Sequence, residues 1–203
     1  MTRPLLLAAL ATVAASAAAQ HNHAPPAPSG SPTAVAGTFV VTGLRVDAAD
    51  PPPGSGVGRA GLRFADGGYV SVVHGKPYAR GRVLWGGLVA WDAVWAAGAH
   101  QSTELVTTVP LAVGGARVWP GAASLFVTPR DGAPWTLHVS RTLGAHLTDE
   151  YDPADDLATV DAVPGRLAEP VDGLTWAFAD DGTALVLSWA DVSVAFPIAR
   201  ADP

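Results

Sequence analysis

Two short stretches concentrate the residue types that do chemistry. His74 and Lys76 stand just before Pro77, and His100, Gln101, Thr103 and Glu104 follow just after Gly98. Between them runs a long connection, GRVLWGGLVAWDAVWAAGAHQST, which opens at Gly81 with Arg82 next to it and carries Trp95. A fold that joins the two ends of this connection would gather two imidazoles, an amide and a carboxylate. Such a set could hold a zinc-like divalent cation with one open position, or act as an acid–base pair. On a shared ion the imidazole nitrogens of His74 and His100 would lie roughly 4–5 Å apart, since zinc–nitrogen bonds are about 2 Å long. The competing expectation is a polar cluster that ties the connection down, with Arg82 bonded to backbone carbonyls. Two His alone do not make a metal site, so no cofactor is expected. His74, Lys76, Arg82, Trp95, His100, Gln101 and Thr103 form the candidate binding set.

Other chemistry is thinner. Asp149, Glu150, Asp152, Asp155 and Asp156 suggest calcium, but the spacing of a DxDxDG-type loop is missing, and a solvated acidic loop is the expectation. The chain carries no nucleophile elbow, phosphate loop, dinucleotide fingerprint or His-Glu-x-x-His. Ser124, in Ala-Ser-Leu-Phe, fits a strand. The absence of Cys excludes disulfides, iron–sulfur clusters, thiolate zinc sites and Cys nucleophiles. Trp135, Trp176 and Trp189 share parity with aliphatic neighbours and read as core. Trp85, Trp91 and Trp119 adjoin Gly or Pro, and are the candidates for an exposed platform that stacks on a sugar or grips a partner.

The elements that must position these groups are strands. Gly 22 and Pro 18 suit a turn-rich β chain, and 49% hydrophobic against 15% charged residues supply a core. The start reads as a signal peptide, residues 1–19, from Arg3 through an apolar run to Ala17-Ala18-Ala19. A Pro/Ala-rich tail follows over 20–36, with His21 and His23 in it, and one β-sandwich domain over 37–203. The product should be exported, periplasmic or secreted, with no stable membrane span after cleavage. A net charge of −6 disfavours nucleic acid.

Alternation predicts a strand over Thr38–Val46, then a loop from Ala48 to Gly58. A hairpin follows through Leu62, Phe64, the turn Asp66-Gly67-Gly68, Val70 and Val72, which puts His74 on the core side. Strands are expected from Thr103 to Val109, from Leu111 and from Ala116 around Gly114-Gly115, and from Ala122 to Thr128. Trp135, Leu137 and Val139 make a half-buried strand with His138 outward, and Leu157–Val163 a short one. A meander closes the chain: Leu174 to Phe178, Leu185 to Trp189, a turn at Ala190-Asp191, and Val192 to Phe196. About nine or ten short strands with hardly any helix read as one antiparallel β-sandwich, with the Gly/Trp-rich connection closing one end.

Four blocks in order, GRVLWGGLV, VWAAGAHQST, PGAASLFVTP with Trp135 after it, and LVLSWADVSVAFPI, resemble the bacterial exported family called domain of unknown function 2911. The resemblance spans roughly Val70 to Ile198 and implies an exported, mostly β domain without implying a reaction. Scaffold positions match: Gly81, Arg82, Gly86, Trp95, Gly98, Thr103, Gly121, Leu125, Phe126 and Pro129. Polar positions depart, with Ala96, His100 and Gln101 where the family pattern has Arg, Asn and Glu, so a polar site of the family would be altered or lost here. The expected function is a non-catalytic binding or structural module whose partner is a small molecule, a carbohydrate or a protein. The alternative is a hydrolase or isomerase with a loop-borne or metal-assisted site near His74 and His100. A deep pocket with several titratable groups would favour the enzyme, and a flat face bearing Trp the binder.

Overall fold

Eleven strands form among the described residues, and no α-helix does. The computed structural model describes residues 34–35 and 54–201. The expected signal peptide, His21, His23 and the strand expected over Thr38–Val46 lie outside them. The strands are β1 (Ala34–Val35), β2 (Gly56–Phe64), β3 (Tyr69–Lys76), β4 (Thr103–Thr107), β5 (Leu111–Val113), β6 (Ala116–Val118), β7 (Gly121–Thr128), β8 (Trp135–Ser140), β9 (Asp156–Ala162), β10 (Gly165–Phe178) and β11 (Ala184–Arg200). A seven-stranded sheet runs β1-β2-β3-β4-β7-β8-β9, and a four-stranded sheet runs β10-β11-β5-β6. All pairings are antiparallel. The fold is the expected two-sheet sandwich. Ala34–Val35, within the stretch read as a tail, pairs with Phe64 and Arg63.

The turns follow from local chemistry. At β2–β3 the Asp66 carboxylate accepts from the Gly68 N–H at 3.0 Å while Gly67 takes φ 88°. Gly114 and Gly115 both adopt positive φ between β5 and β6, as a two-residue hairpin requires. A side chain at Gly114 would collide with the Thr159 carbonyl, so this hairpin presses directly on β9.

Inward residues of both sheets meet in one core that includes Leu62, Val72, Leu125, Leu137, Leu187 and Phe196. Trp135, Trp176 and Trp189 are fully buried, as their parity predicts. Burying a side chain such as Phe196 stabilises by about 1.5–3 kcal/mol. The Gly81–Thr103 connection caps this core with indoles. Trp85 lies 4.7 Å from Trp135, 5.9 Å from Trp189, 6.0 Å from Trp95 and 6.5 Å from Trp91, centroid to centroid. Trp95 stacks on Trp189 at 5.7 Å and exchanges backbone hydrogen bonds with Val127. The connection therefore touches both sheets and closes one end.

Four details differ from the sequence reading. Strand β2 begins at Gly56, inside the expected loop, because Gly58 pairs with His74 and leaves room for its ring. No turn forms at Ala190-Asp191. Strand β11 runs through it, with Ala190 at φ 49° absorbing an irregularity in the β10 pairing. The closing meander is thus two long strands of 14 and 17 residues, not three short ones. Strand β8 is buried on both faces except for a part-buried His138, since residues 141–155 cover its outer side.

Candidate ligand-binding cleft

The backbones of the two polar stretches do meet. A Cβ on Gly75 would sit 2.0 Å from the Ala99 carbonyl oxygen, so only Gly permits this approach. The side chains then part. His74 is 3% exposed, with Nδ1 donating to the Gly75 carbonyl at 2.9 Å and its ring laid over Gly58. Burial drives its pKa down from 6.5 to about 4, and the Lys76 charge adds a little. His100 is exposed at φ 69°, and its carbonyl accepts from the Leu147 N–H. No hydrogen bond or ring contact joins the two imidazoles among the described residues, and none of these holds a group of three His, Asp or Glu placed for a metal ion.

The remaining candidates hold the connection. Arg82 donates to the carbonyls of Ala79 at 3.1 Å and Tyr78 at 2.6 Å. Lys76 Nζ lies 5.5 Å from the Tyr78 ring centroid. The Gln101 amide lies 3.2 Å from the carbonyls of Gly144 and Ala145, and donates to both when its nitrogen faces them. Thr103, fully buried, donates to the Ala97 carbonyl at 2.9 Å.

A second network, not anticipated from sequence, lies on the outer face of β7 and β8. Thr128 Oγ1 donates to His138 Nε2 at 2.9 Å, and His138 Nδ1 donates to Asp156 Oδ2 at 2.8 Å. The Tyr151 hydroxyl donates to the same Asp156 oxygen at 2.9 Å, and its ring packs 4.7 Å from Phe126. Burial, then the Asp156 carboxylate, pushes the Tyr151 pKa well above the ordinary phenol value. The expected outward His138 does leave the core side, yet its side chain is only 13% exposed. Asp156 comes from the run read as a solvated loop, and sequence spacing gave no sign that it faces His138 across a strand pair.

The open site lies elsewhere. Val118 ends β6 in the small sheet and Gly121 begins β7 in the large one, so Trp119-Pro120 is the link that crosses between sheets. Trp119 is 67% exposed there. Beside it lies a cleft of about 280 Å³, just below the range of about 300–1,000 Å³ usual for small ligands. Its floor is Leu105, Val118 and Ala123, all buried, and Leu157 stands on its rim. Arg117 is the one charged residue lining it, with its guanidinium carbon 5.2 Å from the Trp119 ring centroid. Of the three Trp expected as platform candidates, Trp119 is exposed, whereas Trp85 and Trp91 pack partly buried against the core.

No curated protein and no solved structure matches the chain. A family model does: residues 62–198 match the family described as Protein of unknown function (DUF2911). That span covers both sheets from β2 to β11, the Trp-capped connection and the Trp119 cleft, and the chain belongs to this family.

Proposed function

We propose that the chain is an exported binding module that acts without catalysis and takes its ligand in the Trp119 cleft. One observation carries the reading: the open cleft presents a two-thirds exposed indole over an apolar floor with a single charged side chain. That is the lining of a recognition surface, not a convergence of acids and bases. No helix among the described residues is long and apolar enough to cross a membrane. A thermal-shift screen of sugars, metabolites and metals on the full chain tests the reading, because a ligand of the folded state raises the melting temperature by mass action. At least one compound should raise it, and Trp119→Ala should abolish that rise. A rise that survives Trp119→Ala would place the ligand outside the cleft and end the proposal.

A second reading rests on the Thr128–His138–Asp156 chain, whose hydroxyl–imidazole–carboxylate order is that of an activated nucleophile. Thr128 Oγ1 would add to an acyl carbonyl as its proton passes to His138 Nε2. That proton would then go to the leaving group, and water would release the acyl enzyme. This reading ranks second because Thr128 is 7% exposed and Tyr151 also bonds to Asp156 beside it. Ester hydrolysis by the native chain that disappears in Thr128→Ala would move it to first place.

A further inference from the structure

We infer that the Trp119 cleft is selective for an acidic sugar, a pyranose ring that carries a carboxylate. The inference rests on the binding reading above and names the ligand class of that site. The ring and the charge have separate warrants. An indole that is 67% exposed offers a flat apolar face, which the C–H face of a pyranose covers well. The cleft volume of about 280 Å³ suits one or two rings, not a folded partner. Leu157, itself 41% exposed, adds apolar surface to the lining.

The charge comes from Arg117. Its guanidinium is held against the Trp119 ring at 5.2 Å, and among the described residues it makes no ion pair or hydrogen bond. Guanidinium N–H groups are donors that match a carboxylate in a two-pronged fit. Stacking on the indole limits the side chain's freedom in advance, so less entropy is lost when an anion arrives. The chain as a whole is acidic, with a net charge of −6, which disfavours anions in general. A cation over a two-thirds exposed indole beside a cleft is therefore a place where an anionic ring is favoured. The lining adds no carboxylate that would reject it. The hydroxyl of Thr107 in the floor already donates to the Val109 carbonyl at 2.6 Å, so Arg117 is the polar group left to choose among ligands.

The test is titration calorimetry of the full chain with a digalacturonate probe and its neutral galactose disaccharide counterpart. Digalacturonate should bind at least about ten-fold tighter, as one charge-assisted pair allows. Arg117→Gln should bring its affinity down to the neutral level, and raised salt should weaken it in the native chain alone. Trp119→Ala should abolish binding of both sugars. Equal binding of the two sugars, lost in Trp119→Ala, would overturn the acidic preference and leave the cleft as the binding site. Binding of either sugar unchanged by Trp119→Ala would overturn the cleft itself. Absence of binding by both sugars would overturn the sugar inference, while the wider thermal-shift screen decides the cleft independently.

Discussion

At the scale of single residues, His74 couples the fold to pH. Its ring is buried on Gly58, and its pKa of about 4 lies below the 6.5 of an exposed imidazole. Between those values the unfolded chain binds a proton that the folded chain refuses, so stability rises with pH across the window. The contribution is complete above about pH 6.5 and is lost as pH falls toward 4. Its full size is on the order of 3 kcal/mol, from 1.36 kcal/mol per pKa unit. Urea denaturation between pH 7 and 4 should show this loss, and His74→Gln should flatten that part of the curve. A proton NMR titration gives the direct check: a His74 midpoint near 6.5 would end the argument. The parity of Val70, Val72 and His74 in β3 announced the burial. The partner, Gly58, lay in a stretch that Pro and Gly made look like loop, and only the strand register sets it opposite His74. His100 shows a second limit of sequence. Its φ of 69° lies in the left-handed region that His and Asn enter more readily than most residues, and alternation gave no sign of it.

Among elements, the Gly81–Thr103 connection is tied to both sheets at one atom. The buried Ala97 carbonyl accepts from Thr103 Oγ1 of β4 at 2.9 Å and from Trp176 Nε1 of β10 at 3.0 Å. Thr103→Val should cost about 1–2 kcal/mol and Trp176→Phe about 1–3 kcal/mol, each leaving the carbonyl one partner. The double variant leaves it buried with none, so its cost should exceed the sum of the two. Denaturation followed by circular dichroism checks this, and strict additivity would show that the shared carbonyl is no tie. Period-2 alternation made β3, β4, β7, β8 and both arms of the Gly114-Gly115 hairpin readable, because each turns alternate side chains into the same core, although β7 and β8 are covered on their other face as well. It failed for the first half of β10, Gly165–Gly173, where few side chains are buried and no alternation is imposed. It also read Ala190-Asp191 as a turn, since a strand that absorbs an irregularity looks locally like a break. A Gly or Pro neighbour marked Trp119, which is exposed, but it marked Trp85 and Trp91 as well, and these pack against the core. The Thr128–His138–Asp156 network was not, because it depends on β7, β8 and β9 pairing in register over sequence gaps that alternation does not span.

For the whole molecule, the two sheets share a core, and a charged staple joins their rims. Arg200 is the last residue of β11 in the small sheet, while Asp66 sits in the β2–β3 turn of the large one. Arg200 Nη2 donates to Asp66 Oδ2 at 2.7 Å, and the guanidinium carbon lies 5.0 Å from the Phe64 ring centroid. The Arg200 hydrogen bond, then the Gly68 N–H, lowers the Asp66 pKa from 3.8 to about 2. A depressed carboxylate contributes above its unfolded pKa, so the staple holds at neutral pH and is lost as pH falls from 3.8 toward 2. This window lies below that of His74, and acid should loosen the chain in two successive stages. Asp66 is 35% exposed, so salt should also weaken the pair. At pH 7 Asp66→Asn and Arg200→Ala should each lower the melting temperature, Arg200→Ala by more because it also uncovers Phe64. If the two residues act through each other, the double variant falls by less than the two single losses together, and the difference shrinks in 1 M salt. Losses that simply add at low salt would mean that the rims are held by packing alone, without the ion pair.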